Sequence, residues 1–218
     1  MKKAKNVVYY SPIEEKINIL SHALGFILSL IALILMLFFP QKEGNSLYFI
    51  SVSIFGASLL ILYAASTIYH RTSEPKLRSR LRIFDHAAIY VLIAGTYTPF
   101  TLITLEGTTG WILFGLVWGM AMAGIILKLF FTGKFTIIST LMYVGMGWLI
   151  IFAINPFIES LPLEGLYWLF AGGAFYTIGA IFYAFKKLNY THAIFHIFVL
   201  FGSFCHFMAI YFYILKSN

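Results

Sequence analysis

Charge is what this chain has least of. Only 11% of its 218 residues are Asp, Glu, Lys or Arg, against about 25% in a soluble globular domain. That scarcity excludes an ordinary water-exposed surface. Acids are rarer than bases, eight against fifteen, for a net charge of +7. Cysteine occurs once, as Cys205 inside an apolar stretch, which excludes an internal disulfide. The polar opening, residues 1–16, lacks an apolar core followed by a small-residue cleavage site. The first apolar stretch is therefore expected to stay in the mature protein. The residue-by-residue alternation of a membrane β-barrel is missing as well.

What remains is apolar. The chain is 61% hydrophobic and 19% aromatic, with a mean hydropathy of +0.88. Apolar runs longer than about 18 residues recur, as a bilayer-spanning helix requires. A window of roughly 19 residues predicts seven spans, over 17–39, 47–70, 83–104, 109–131, 136–155, 164–185 and 190–214. The connections are short, so residues 1–218 are read as one all-α, seven-helix membrane domain. Gly115 and Gly119 form a GxxxG pair, and Gly172 and Gly179 share a face, which predicts close helix packing. Pro99 is expected to kink the third span near Gly95-Thr96-Tyr97-Thr98. Trp111 and Trp168 are expected at the outer interface.

The basic residues set an orientation. With the N-terminus cytoplasmic, that side holds Lys2, Lys3, Lys5 and Lys16, then Arg71, Lys76, Arg78, Arg80 and Arg82. Lys128, Lys134, Lys186 and Lys187 are there too. The other side holds Lys42 and Lys216, together with Glu43, Glu106, Glu159 and Glu164. Thirteen against two predicts N-in, C-out. The positive charge is thus a topology signal and not a nucleic-acid surface. G-protein-coupled receptors run the other way. Retinal proteins need a mid-membrane lysine on the last helix, and only terminal Lys216 is available.

Polar residues gather at the predicted cytoplasmic helix ends. Glu15, Asn18 and His22 follow i, i+3, i+7 on the first span. Ser66 and His70 end the second, Asp85 and His86 open the third, and His192 and His196 open the seventh. Each i, i+4 pair shares one helix face. Imidazoles and hydroxyls beside lipid are expensive unless something binds them. Three neutral imidazoles plus an oxygen suit tetrahedral Zn²⁺, so His70, His192 and His196 are the expected ligands. Asp85 would hydrogen-bond the zinc's water or ligate through it, and Ser66 would orient that water. A zinc with an open position lowers its water's pKa toward about 7, and Asp85 would serve as general base. Glu15, Asn18 and His22 are expected to support the ligands from behind. His86 is expected to face another helix or the interface. His206, ten residues past His196, sits too deep to join them. The alternative for each histidine is a helix–helix hydrogen bond. Bis-histidine haem is a further alternative, but the outer leaflet offers no histidine for a second haem.

At these positions the chain resembles the bacterial haemolysin III proteins, which group with the progestin and adiponectin-receptor (PAQR) family. The matching motifs are Glu15-x-x-Asn18-x-x-x-His22, Ser66-x-x-x-His70, Asp85-His86 with the later Ala94-Gly95-Thr96-Tyr97-Thr98-Pro99-Phe100, and His192-x-x-x-His196. The resemblance covers essentially the whole chain. It implies an N-in bundle in the cell membrane of a bacterium, with zinc near the cytoplasmic leaflet held by His70, His192 and His196 and with Asp85 beside its water. It also implies kinship with membrane hydrolases that include alkaline ceramidases, and a link to membrane homeostasis. The functional expectation is a zinc-dependent hydrolase of a lipid amide or ester, or a regulator derived from one, with membrane lipid as partner. A non-enzymatic membrane-fluidity sensor with structural zinc and a pore-forming haemolysin are the alternatives, so enzyme and non-enzyme both stay open here. The name haemolysin implies cytolysis, yet no span carries the continuous polar stripe of a channel. The chain also lacks the long N-terminal region of the animal receptors, which argues against a hormone-receptor role.

Overall fold

The computed structural model describes residues 7–38, 46–105, 107–132, 135–185 and 188–215. Ten residues used for orientation (Lys2, Lys3, Lys5, Lys42, Glu43, Glu106, Lys134, Lys186, Lys187 and Lys216) lie outside them. Among the described residues the regular structure is entirely helical. The elements are α1 (Pro12–Phe38), α2 (Ser46–Arg71), α3 (Pro75–Pro99), α4 (Gly107–Phe131), α5 (Thr136–Gly147), α6 (Ile154–Ser160), α7 (Leu163–Ala184) and α8 (Thr191–Met208). They supply seven helical segments long and apolar enough to cross a membrane, the fifth running from Ile137 to Ser160. Helix α1 packs on α2 and α8, α2 on α3, α3 on α4, and α7 on α8. The first helix thereby closes against the last.

Local chemistry starts the helices that matter for the site. Ser11 precedes Pro12, and its Oγ accepts the Glu14 N–H at 3.2 Å. A capping hydroxyl followed by proline at the first helical position is a strong start signal. Helix α3 begins the same way, with Glu74 accepting the N–H groups of Lys76 (3.0 Å) and Leu77 (2.5 Å) ahead of Pro75. Those two bonds hold the Glu74 carboxyl below its usual range. They also extend α3 eight residues before the predicted start of its span at 83, because its first two turns are polar and a hydropathy window passes over them.

Two irregularities follow from proline. Helix α3, with Pro99 at its end, passes into a π-helical stretch, Phe100–Thr104, with the Leu105 N–H reaching back to the Phe100 carbonyl at 3.1 Å. The fifth span, predicted as one helix over 136–155, breaks into α5, a 3-10 stretch (Leu149–Ala153) and α6. Pro156 lies in the first turn of α6, the place where its missing N–H and its ring are tolerated.

The packing core holds Tyr48, Val52, Phe55, Tyr63, Tyr90, Phe100 and Phe157, all essentially without exposure. Glycine makes room for two of its rings. A Cβ on Gly25 would sit 2.5 Å from Tyr63, and one on Gly124 would sit 2.3 Å from Tyr90. Gly172 and Gly179 also meet close neighbours. Among the described residues the expected GxxxG contact is not formed, since Gly115 and Gly119 have nothing within 4 Å of where a Cβ would be. They lie on the outward face of α4 with half-exposed Trp111 and Leu116. Large exposed apolar side chains on α1, α4 and α5 make the outer surface suited to lipid.

Candidate metal centre

One face of each of four helices points into the same end of the bundle. Helix α1 brings Glu15, Asn18 and His22, α2 brings Ser66 and His70, α3 brings Asp85 and His86, and α8 brings His192 and His196. Asn18, His22, Ser66, Asp85 and all four other histidines are buried. The imidazoles of His70, His192 and His196 converge, with one ring nitrogen of each within 4.8 Å of the others. His192 Nε2 lies 3.2 Å from His70 Nε2 and 3.1 Å from His196 Nε2.

These spacings fit a common cation. Nitrogens bound tetrahedrally at about 2.0–2.1 Å to one zinc sit about 3.3 Å apart. The hydrogen-bond bookkeeping points the same way. His70 Nδ1 meets Glu15 Oε2 at 2.7 Å, and a carboxylate can only accept, so Nδ1 carries the proton and Nε2 presents a lone pair. That lone pair faces His192 Nε2, which also faces His196 Nε2. His196 Nδ1 meanwhile is buried with no partner among the described residues. One proton on His192 cannot satisfy two neighbours well, whereas a divalent ion satisfies three lone pairs at once.

The surroundings hold the rings in place. Asn18 Nδ2 is 3.4 Å from His70 Nδ1. The His22 ring stacks on His196 at 3.6 Å between centroids and meets the edge of Tyr63. Glu15 also accepts from Arg78 Nη2 and from the Tyr10 N–H at 3.2 Å. His86 Nε2 is 3.1 Å from the Tyr183 hydroxyl, and its Nδ1 is 3.2 Å from Asp85 Oδ2.

Two contributors were missed by sequence reasoning. Arg78 entered only as one positive charge among thirteen, yet it is 2% exposed. Its Nη1 donates to the carbonyls of Tyr69 (3.2 Å), His70 (3.1 Å) and Thr72 (3.0 Å), satisfying the open C-terminus of α2. Its Nε donates to the Val8 carbonyl at 2.9 Å. The guanidinium also lies 4.5 Å from the Tyr9 ring and 4.7 Å from the Tyr69 ring. Tyr10 is the second. Its ring stacks on His192 at 4.4 Å and 12°, and burial, with Tyr69, Tyr183 and Asp85 adding to it, pushes its phenol well up from the ordinary range. Residues 8–10 thus form a strap over the centre, and no spacing in the sequence signals it.

A cavity of about 110 Å³ opens from the centre. Ser66, Asp85, His192 and His196 line one end, and Leu62, Leu92, Ile93 and Val199 line its length. Ser66 Oγ is buried there without a partner among the described residues. The structure therefore brings every expected ligand and supporting residue to one place. His206 stays apart, with Nε2 3.2 Å from the Leu169 carbonyl.

Comparison with known proteins places the chain among its relatives. The family model described as "Haemolysin-III related" matches residues 10–207. The chain is 46% identical to Hemolysin-3 of Bacillus cereus over 94% of its length and 93% of that protein. It is 45% identical to the Hemolysin-3 homolog of Bacillus subtilis (strain 168), covering 93% and 95%. It is 28% identical to the human monocyte to macrophage differentiation factor, covering 77% and 72%. No solved structure matches significantly.

Proposed function

The chain belongs to the haemolysin-III related family, and from that premise we propose that His70, His192 and His196 bind one zinc ion in a membrane hydrolase of a lipid amide or ester. The observation that carries this reading is the convergence of three buried ring nitrogens, those of His192 and His196 on the wall of an apolar cavity that Asp85 and Ser66 also line. The basic residues concentrated around that end support a cytoplasmic position for it.

A zinc ion held there supplies Lewis acidity, polarising a carbonyl and making water more acidic. The protein's own groups do the rest. Glu15, accepting from His70 Nδ1, fixes the tautomer and keeps Nε2 aimed inward. Asp85 takes the proton released by water and returns it to the leaving amine or alkoxide. The unpartnered Ser66 hydroxyl hydrogen-bonds the water or the scissile carbonyl oxygen. The apolar walls accept the acyl chain and keep bulk water away from the reacting atoms.

Metal analysis of the purified protein is expected to find one zinc per chain, lost in His192→Ala. Turnover of a ceramide-like amide or a glycerolipid ester is expected in the native protein and absent in both His192→Ala and Asp85→Asn. Stoichiometric zinc without turnover of any lipid class removes the enzyme and leaves the metal site.

One observation favours a second reading. Glu15, Arg78 and the three histidines tie α1, α2, α3 and α8 together, so the ion can serve to hold helix ends in a non-enzymatic sensor of membrane fluidity. Under that reading Asp85→Asn keeps the fold, the zinc and the cellular phenotype.

A further inference from the structure

The cavity does not end in hydrocarbon. His206 lies ten residues beyond His196 on α8, a rise of roughly 15 Å, and lines the same cavity. Thr96 stands eleven residues past Asp85 on α3, a rise of about 16 Å, and lines it too. Two helices thus place polar groups at the far end, at similar rises from His196 on α8 and from Asp85 on α3. Both residues also line a smaller adjoining cavity of about 30 Å³.

The chemistry of this end is specific. His206 Nε2 is 3.2 Å from the Leu169 carbonyl. A carbonyl only accepts, so in the neutral ring Nε2 carries the proton and Nδ1 offers a bare lone pair. His206 Nδ1 and Thr96 Oγ1 are both buried without a partner among the described residues. The ring has space made for it, since a Cβ on Gly172 would lie 2.4 Å from its atoms. A histidine serving only to join α8 to α7 would need the Leu169 bond alone. It would not account for two buried, unsatisfied polar atoms on one cavity wall.

We propose that His206 and Thr96 form a second recognition point, for a hydroxyl at the far end of a medium-length aliphatic ligand. This rests on the reading of the cavity as a lipid-chain site. A hydroxyl donates to His206 Nδ1 and accepts from the Thr96 O–H. A terminal methyl does neither and leaves both atoms desolvated. A carboxylate has no proton to give and sets its charge against the Nδ1 lone pair.

The test is competition for the full-length protein in nanodiscs, using labelled dodecanamide against dodecanamide, its ω-hydroxy derivative and its ω-carboxylate derivative. The ω-hydroxy compound is expected to bind about tenfold tighter than dodecanamide, near the upper end for one net hydrogen bond. The ω-carboxylate should bind weakest. His206→Phe and Thr96→Val should each shrink the hydroxyl advantage, read as the ratio of the ω-hydroxy and dodecanamide affinities within each variant, to about twofold or less. Equal binding of dodecanamide and the ω-hydroxy compound would overturn the second recognition point and leave the chain site standing. A hydroxyl advantage that survives both substitutions would overturn it too. No binding of any of the three would overturn both. If His206→Phe fails to fold, the comparison in the native protein and in Thr96→Val still decides.

Discussion

Helices α1 and α4 are both peripheral, and each buries 28% of its most apolar window. Those windows have similar mean hydropathy, 2.4 and 2.1. Each also gives up one glycine Cβ to a tyrosine ring, Gly25 to Tyr63 and Gly124 to Tyr90. Their buried stripes are nevertheless opposite in kind. That of α1 runs Glu14, Asn18, His22, Gly25, Ser29, Ala32 and Met36. That of α4 runs Gly110, Leu113, Val117, Ala121 and Gly124, with Lys128 at its end donating to Ser139 Oγ at 2.7 Å. Between two lipid-facing helices, then, neither hydropathy nor burial identifies the one that serves the site. The chemistry of the buried stripe does, because a polar group facing protein in a membrane is retained only where it has something to bind.

The contrast can be broken from either side. The largest effect is expected outside both stripes, at a ligand: His192→Ala should abolish metal binding, read by elemental analysis of the purified protein. A substitution on α1 beside its buried stripe comes next. Glu15→Gln removes the carboxylate behind His70 and should weaken metal affinity by about 10–100-fold, measured by chelator competition. Gly124→Ala in the α4 stripe should act differently, destabilising by about 1–3 kcal/mol through overpacking against Tyr90 with metal content unchanged. Thermal unfolding with metal analysis separates the two, and metal loss in Gly124→Ala would erase the distinction between the stripes. The double change Gly115→Ala and Gly119→Ala, on the outward face of α4, should stay within about 0.5 kcal/mol of the native protein.

The smallest effect is expected at Glu74, which belongs to neither stripe. Its folded carboxyl titrates below the unfolded one because the Leu77 and Lys76 N–H groups favour the anion. The resulting stabilisation is present above the ordinary carboxyl range and is lost as pH falls through the lowered folded value. Glu74→Gln should therefore lower the Tm slightly at neutral pH and leave it unchanged in acid.

The seven spans were readable because a bilayer demands long apolar runs, and the site because it draws on i, i+4 pairs of costly residues. Helix α1 was recognised from Glu15, Asn18 and His22, which are visible against an otherwise apolar run. Where reading failed, the signal was of another kind. The start of α3 depends on one Glu-Pro cap and polar turns that hydropathy averages away. The break in the fifth span depends on Pro156 within a run that still looks apolar. Arg78 and Tyr10 act through long-range contacts made by a charged side chain and a short extended segment, and neither has a periodicity to find. The GxxxG pair in α4 shows the converse, a clear motif with no contact among the described residues.

One feature of the centre bears on biosynthesis. His70 and His192 stand 122 positions apart, and Glu15, from the first helix, grips the ring of His70. Helices are made in order, so a nascent chain that lacks α8 carries its Asn18, His22 and His70 side chains without the two imidazoles that complete the cluster. On the proposed metal reading, capture of the ion would wait for α8 to dock against α1. An ion bound at that moment would act as a latch on α8, and a product truncated before α8 would leave the polar groups of Asn18, His22 and His70 unmatched within the membrane.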